Sequence, residues 1–218
     1  MAKDRKSFLV VGLGRFGSSL AIALADAGHE VLAVDTNPEV VQRLSNRLTH
    51  VVAVDAANEQ ALETLGVGNF DAAVVAIGDD FESSILLTLM LKRLGVPFVV
   101  AKARTEQQVE VLNRVGADRV VQPERDAGLR MARQLTSPNL LDYLTLGPGM
   151  SVAEIHAPDF MVGKTLGELN VRNKYKITIL LIKNGEHLLI SPDPEDRINP
   201  NDRLVVAGRD QDISRLRR

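Results

Sequence analysis

Residues 8–35 read FLVVGLGRFGSSLAIALADAGHEVLAVD, and the order of patterns within them decides the fold. An apolar run, Phe8 to Val11, leads into Gly12-Leu13-Gly14-Arg15-Phe16-Gly17. A helical pattern follows to Ala27, and a second apolar run, Val31 to Val34, stops at Asp35. Strand, glycine turn, helix and strand, with an acid 18 residues past Gly17, match a dinucleotide-binding fingerprint in its full context. Gly12 permits the tight turn, Gly14 lets the backbone approach a phosphate with no Cβ in the way, and Gly17 lets the helix pack close to the strand. The helix start then offers unpaired N–H groups to phosphate oxygens. Asp35 is placed to accept hydrogen bonds from ribose hydroxyls, which disfavours a 2′-phosphate and hence NADP.

Outward from this stretch the alternation continues. Helices are expected over residues 37–47, 59–65, 81–94 and 106–115, and strands over 51–54, 71–77, 98–101 and 119–121. Continuous apolar strands separated by helices indicate an α/β fold: a Rossmann-like, doubly wound parallel sheet covered on both faces. A helix over 123–135 follows, then a short crossover crowded with Leu140, Leu141, Tyr143 and Leu144, which reads equally as packing onto the first domain or as a subunit interface. Gly147-Pro148-Gly149 marks a boundary. The expected division is 1–136 for the nucleotide-binding domain, 137–150 for crossover and linker, and 151–218 for a small α+β domain. In that last part Thr165-Leu166-Gly167-Glu168 is a capping box, and residues 176–182 and 187–190 form a hairpin around Asn184-Gly185. So small a unit is expected to dimerise.

Composition narrows the function. Of 218 residues 45% are hydrophobic, yet no apolar run approaches the length of a membrane span, and MAKDRKS lacks the apolar segment of a signal peptide. A cytosolic protein is expected. The absence of cysteine excludes disulfides and thiolate chemistry. Net charge is −2, and neither part carries the basic excess of a nucleic-acid binder.

An NAD-dependent dehydrogenase is the obvious enzyme for this fold, but the catalytic inventory is missing. None of the four histidines has a motif around it, and Tyr143 and Tyr175 lack a lysine four residues on. The basic residues instead speak to the ligand. Arg15 stands between the second and third glycines, and Lys102 with Arg104 closes the fifth strand. Carboxyl ends of strands face the ligand crevice, so these cations are placed to meet phosphates. More positive charge than a bridging pyrophosphate needs suggests a terminal phosphate, as in ADP or ATP, with NAD or NADH the alternative.

With the strings VVGLGRFG (10–17), GHEVLAVD (28–35), VVAIG (74–78), VAKA (100–103), GADRVVQPERD (116–126), LNVRNKY (169–175) and SPDPED (191–196), the chain resembles the regulator-of-potassium-conductance (RCK) family, built of TrkA-N and TrkA-C domains. Within it, the KtrA-type subunits of bacterial Ktr potassium transporters are the most similar. The resemblance covers essentially the whole chain. It implies an octameric ring beneath a KtrB-type membrane subunit, with ATP activating and ADP inactivating. It also implies that Arg15 contacts phosphates across a dimer interface, Asp35 the ribose and Asp55 the adenosine end, with Phe16, Ala56, Ile77 and Gly78 in the same site. Glu124 would join a divalent cation or Na+ between neighbouring subunits. In the C-terminal domain the resemblance implies cyclic di-AMP bound at a dimer interface and inhibiting transport. There Asn170 and Arg172 would face the phosphates, and Leu166, Ile177, Ile179 and Pro192 would wall the purines. The alternative function is an NAD(H)-binding oxidoreductase or redox sensor.

Overall fold

The computed structural model describes residues 5–136 and 140–216, in two compact units, residues 1–126 and 127–218. In the first, strands β1 (Ser7–Val11), β2 (Glu30–Asp35), β3 (His50–Ala53), β4 (Ala72–Val75), β5 (Val99–Lys102) and β6 (Arg119–Val121) alternate with helices α1 (Arg15–Asp26), α2 (Pro38–Leu44), α3 (Glu59–Thr64), α4 (Phe81–Arg93) and α5 (Glu106–Val115). The six strands form one parallel sheet in the order β3-β2-β1-β4-β5-β6. The doubly wound Rossmann-like fold read from the apolar runs is therefore the one observed. The order reverses between β1 and β4, and in such sheets the ligand crevice opens at that point.

Alternation along β1 splits the core in two. Leu9 and Val11 join Leu87, Leu91 and Leu112 on one face, while Val10 joins Ala21, Ala33 and Leu44 on the other. A strand whose neighbouring residues are buried on opposite faces has to be apolar throughout, hence the unbroken runs in the sequence.

Helix α6 (Pro123–Leu135) carries the chain out of the first unit. The second unit contains β7 (Leu140–Gly147), β8 (Met150–His156), the short helices α7 (Leu166–Leu169) and α8 (Val171–Tyr175), β9 (Ile177–Asn184), β10 (His187–Ile190), β11 (Arg203–Arg209) and α9 (Asp210–Arg215). Its sheet has the order β10-β9-β11-β8-β7, and every pairing is antiparallel. The expected capping box is present at the start of α7: Thr165 Oγ1 accepts from the Glu168 N–H and the Glu168 carboxylate accepts from the Thr165 N–H.

One expectation changes. From Leu140 onward the segment read as a crossover and linker is strand β7, and the expected boundary residues make a two-residue hairpin turn, Pro148-Gly149, with Gly147 opposite Met150 and Gly149 at φ +69°. Residues 137–139 of that segment lie outside the described residues. No helix among the described residues is long and apolar enough to cross a membrane.

Candidate functional site

The carboxyl ends of all six parallel strands border one open cleft of about 1310 Å³ in the first unit. Its floor at the switch point is the glycine turn, whose three glycines are held by different constraints. Gly12 lies at φ +91°, and a Cβ there would stand 2.9 Å from the Ala76 carbonyl carbon and the Ile77 nitrogen. A Cβ on Gly17 would fall on the Gly12 carbonyl oxygen and 3.1 Å from the Ala76 Cβ. The turn, the first turn of α1 and the end of β4 can close together only without those side chains. Gly14 differs: a Cβ there would meet nothing within 4 Å. The chain's own packing does not require glycine at this position, which borders the cleft at the start of α1. An anion taking its place against these backbone groups would require that space.

Asp35, at the end of β2, also braces the turn. Its Oδ2 accepts from the Leu13 N–H at 2.6 Å and its Oδ1 from the Asn37 N–H at 2.9 Å. Each carboxylate oxygen has a second lone-pair direction, so the brace leaves acceptor capacity toward the cleft. Asp55 is exposed and its Oδ1 accepts from the Ala57 N–H at 2.9 Å, which shapes the loop after β3; Ala56 beside it is buried. Phe16, Ile77 and Gly78 line the cleft and are half-buried.

Two of the three cations expected at the site, Lys102 and Arg104, are paired with carboxylates. Lys102 Nζ donates to Glu124 Oε1 at 2.7 Å, with the lysine side chain only 11% exposed and the glutamate 68%. This hydrogen bond, with one from its own backbone N–H, holds the Glu124 carboxyl below the usual carboxylate range against a smaller opposing effect of burial. Arg104 Nη1 lies 2.7 Å from Asp79 Oδ1 and donates to the Gly78 carbonyl at 3.2 Å. Arg125 Nη1 lies 3.3 Å from both Glu106 Oε1 and Gln122 Oε1. Only the Arg15 side chain, among these four, has no hydrogen-bond or ion-pair partner among the described residues, and it is exposed at the cleft.

Asp79, Gln122 and Arg125 are cleft residues that motif reading passed over. Their signal was positional, since each follows the carboxyl end of β4 or β6. Glu124 is the one site residue proposed for a cation, and no group of three His, Cys, Asp or Glu side chains suited to a metal occurs among the described residues.

The second unit treats its expected residues differently. Asn170 sits in the left-handed region (φ +45°) between α7 and α8, its Oδ1 accepting from Asn173 Nδ2 at 2.7 Å, and Arg172 is exposed. Leu166 and Pro192 are half-buried. Ile177 and Ile179, expected to wall a ligand, belong instead to the core of this unit at 1% and 8% exposure. They alternate inward on β9, and the sheet needs them there. The cleft of about 290 Å³ in this unit, bordered by Ile182, His187, Arg197 and Asp202, includes neither Asn170, Arg172 nor Pro192.

Comparison with known proteins adds to this geometry. The TrkA-N domain family matches residues 8–123 and the TrkA-C domain family residues 150–218. The chain is 42% identical over 212 residues to the Ktr system potassium uptake protein C of Bacillus subtilis (strain 168), covering 97% of this chain and 96% of that protein. It is 43% identical over 211 residues to Ktr system potassium uptake protein A of the same organism, covering 97% and 95%. Among solved structures, the GsuK channel bound to NAD is similar with a TM-score of 0.55 at 25% identity, over 99% of this chain and 38% of that one. GsuK bound to ADP is similar with a TM-score of 0.51 at 26% identity, over 60% and 34%. The chain thus spans well under half the length of those channel structures.

Proposed function

We propose, from the premise that this chain belongs to the family built of a TrkA-N domain followed by a TrkA-C domain, that it is a nucleotide-sensing regulatory subunit of a membrane potassium transporter. In this reading it catalyses no reaction. The observation that carries the proposal is the pairing of a glycine turn open at Gly14 with a cation, Arg15, that has no partner among the described residues, at the same helix start. Backbone N–H groups of the turn and the Arg15 guanidinium suit phosphates, and Asp35 suits ribose hydroxyls. ATP and ADP differ by a terminal phosphate, and a ligand shifts a conformational equilibrium only through its differential affinity for the two states. ATP would activate and ADP inactivate on that basis.

The wider assignment follows the relatives. Two proteins with over 40% identity are named potassium uptake proteins, which supports a KtrB-type membrane subunit as partner and a place on the inner face of the membrane through it. An octameric ring built from dimers, a divalent cation or Na+ at Glu124 between subunits, and inhibition by cyclic di-AMP through the C-terminal unit belong to the same proposal. A second reading, NAD or NADH at the same turn, is favoured by the similarity to a channel bound to NAD. Calorimetric titration with ATP, ADP, NAD and NADH, with mass measurement of the oligomer in each state, tests both. Tight ATP and ADP binding supports the regulatory reading; NADH binding with no response to ATP replaces it with the second.

A further inference from the structure

Gln122 holds a buried donor that the fold itself does not use. The residue directly follows β6 and is only 8% exposed, yet it borders the cleft. Its backbone carbonyl accepts from the Asp126 N–H at 3.0 Å in the first turn of α6, which fixes where the residue stands. Its side-chain Oε1 accepts from Arg125 Nη1 at 3.3 Å. A guanidinium only donates, so the amide oxygen has to be the atom that faces it, and the amide nitrogen faces elsewhere. That nitrogen carries two N–H donors and has no hydrogen-bond partner among the described residues. Leaving a buried donor unpaired costs free energy, so such a group at the border of a cleft points to an acceptor that comes from outside.

Resting on the nucleotide reading above, we propose that Gln122 is a further ligand-binding residue, whose Nε2 donates to an oxygen of the nucleotide on the side of the glycine turn away from Asp35. Strand order supplies the side. Asp35 ends β2 and Gln122 follows β6, and in the order β3-β2-β1-β4-β5-β6 the two stand on opposite sides of β1 and its turn. A nucleotide with its ribose at Asp35 and a phosphate at the turn presents to Gln122 whatever lies beyond that phosphate. In ADP and ATP that part carries terminal phosphate oxygens, and in NADH the hydroxyls of a second ribose. Both are oxygen acceptors that an amide N–H can meet.

The full chain is titrated calorimetrically with adenosine, ADP, ATP and NADH as wild type, Gln122→Glu, Gln122→Met, Arg125→Ala and the Gln122→Met, Arg125→Ala double variant. Urea midpoints are measured on each without nucleotide. Gln122→Glu keeps an oxygen for Arg125 and removes the amide donors, while Gln122→Met keeps the length and removes both polar atoms. Both should weaken ADP and ATP, or NADH, about tenfold and leave adenosine unchanged. Loss confined to ADP and ATP names a terminal phosphate as the acceptor, and loss confined to NADH names the second nucleoside. Gln122→Met should not lower the urea midpoint, because an unpaired buried donor is exchanged for an apolar chain. Weakening in Gln122→Glu alone overturns the inference, since the cause would then be charge repulsion. Weakening in Gln122→Met that vanishes on the Arg125→Ala background also overturns it, because the amide would be acting through Arg125. So does a midpoint that falls together with the affinity, or an equal loss for adenosine, either of which makes the amide a brace of the fold. Wild-type affinity for every nucleotide in both Gln122 variants overturns the inference and leaves the nucleotide reading standing. Absence of nucleotide binding by the wild type overturns both.

Discussion

At Gly17 one methyl group decides whether the nucleotide turn can close, and at Gly14 the same methyl group should leave the fold nearly untouched. Gly17→Ala places its Cβ on the Gly12 carbonyl oxygen, backbone that cannot swing aside, so the variant should lose about 1–3 kcal/mol of stability and all measurable nucleotide binding. Gly14→Ala meets open space and should lose no more than about 1 kcal/mol, the cost of a poorer helix start, while nucleotide affinity falls sharply. Chemical denaturation and calorimetry on both variants separate the two effects; a Gly14→Ala protein that binds ATP as the wild type does would show that phosphate does not come to that turn. Arg15→Ala addresses a neighbouring question. With no partner among the described residues, Arg15 loses no internal contact when truncated, so stability should hold. The preference for ATP over ADP should shrink, with adenosine recognition through Asp35 intact. Equal weakening of ATP and ADP would remove Arg15 from terminal-phosphate recognition. These residues were legible in the sequence because glycines and a cation at fixed offsets from a strand end have few other uses. Asp35 was read as a ribose acceptor, but its hydrogen bond to the Leu13 N–H was not, because spacing records which residue ends a strand and not which backbone groups lie across from it.

Helices and strands divide along similar lines. The first unit's elements lie within a few residues of their expected bounds, since a parallel strand buried on both faces writes itself as an apolar run. Strand β7 did not, because large apolar side chains are exposed along it as well: Leu144 and Leu146 are 63% and 60% exposed. That pattern resembles a crossover packed on a domain or a subunit interface as much as an edge strand, and the glycines after it imitate a domain boundary. The sheet edge of the first unit offers a test of a different kind. Asp118, just before β6, accepts from the Val99 N–H at 2.7 Å and from Lys92 Nζ at 2.8 Å, and so ties α4, β5 and β6 together. Burial pushes its carboxyl up, but those two hydrogen bonds and the Lys92 charge outweigh it and hold the group below its ordinary value of 3.8. A carboxyl whose folded value is depressed stabilises above its unfolded value and loses that contribution as the pH falls through the folded one. Asp118→Asn should therefore be less stable than wild type by about 1 kcal/mol at pH 7. The gap should narrow as the pH is taken below about 4. Urea midpoints measured across that range check it; a gap that stays constant would assign the loss to packing and not to charge.

Over the whole molecule, one unit carries a site that its own geometry describes and the other carries one that only family likeness suggests. The parallel sheet had to open a cleft at its switch point, and Asp35, Lys102 and Arg104 could be placed at it from strand ends. The second unit has no such rule, and two of its expected ligand residues, Ile177 and Ile179, turn out to hold its core together. What remains for cyclic di-AMP is an exposed Arg172, Asn170 held in a left-handed turn, and the half-buried Leu166 and Pro192. A ligand with two identical halves suits an interface between two copies of one surface, because each half-site then binds half of the molecule. Under that arrangement Arg172 meets the messenger's phosphates from both copies, and each charge-assisted contact is worth about 1.5–3 kcal/mol. Arg172→Ala should weaken cyclic di-AMP by about a hundredfold or more, counted over the two copies. ATP and ADP affinity at the first unit should not change, since the substitution leaves the glycine turn and Asp35 in place. The core isoleucines provide the control: Ile179→Val trims the core and should lower stability by about 0.5–1.5 kcal/mol with messenger affinity preserved. If Arg172→Ala binds cyclic di-AMP as tightly as wild type, or if binding survives deletion of residues 151–218, the messenger does not act through this unit, and regulation of the transporter rests on the nucleotide cleft alone.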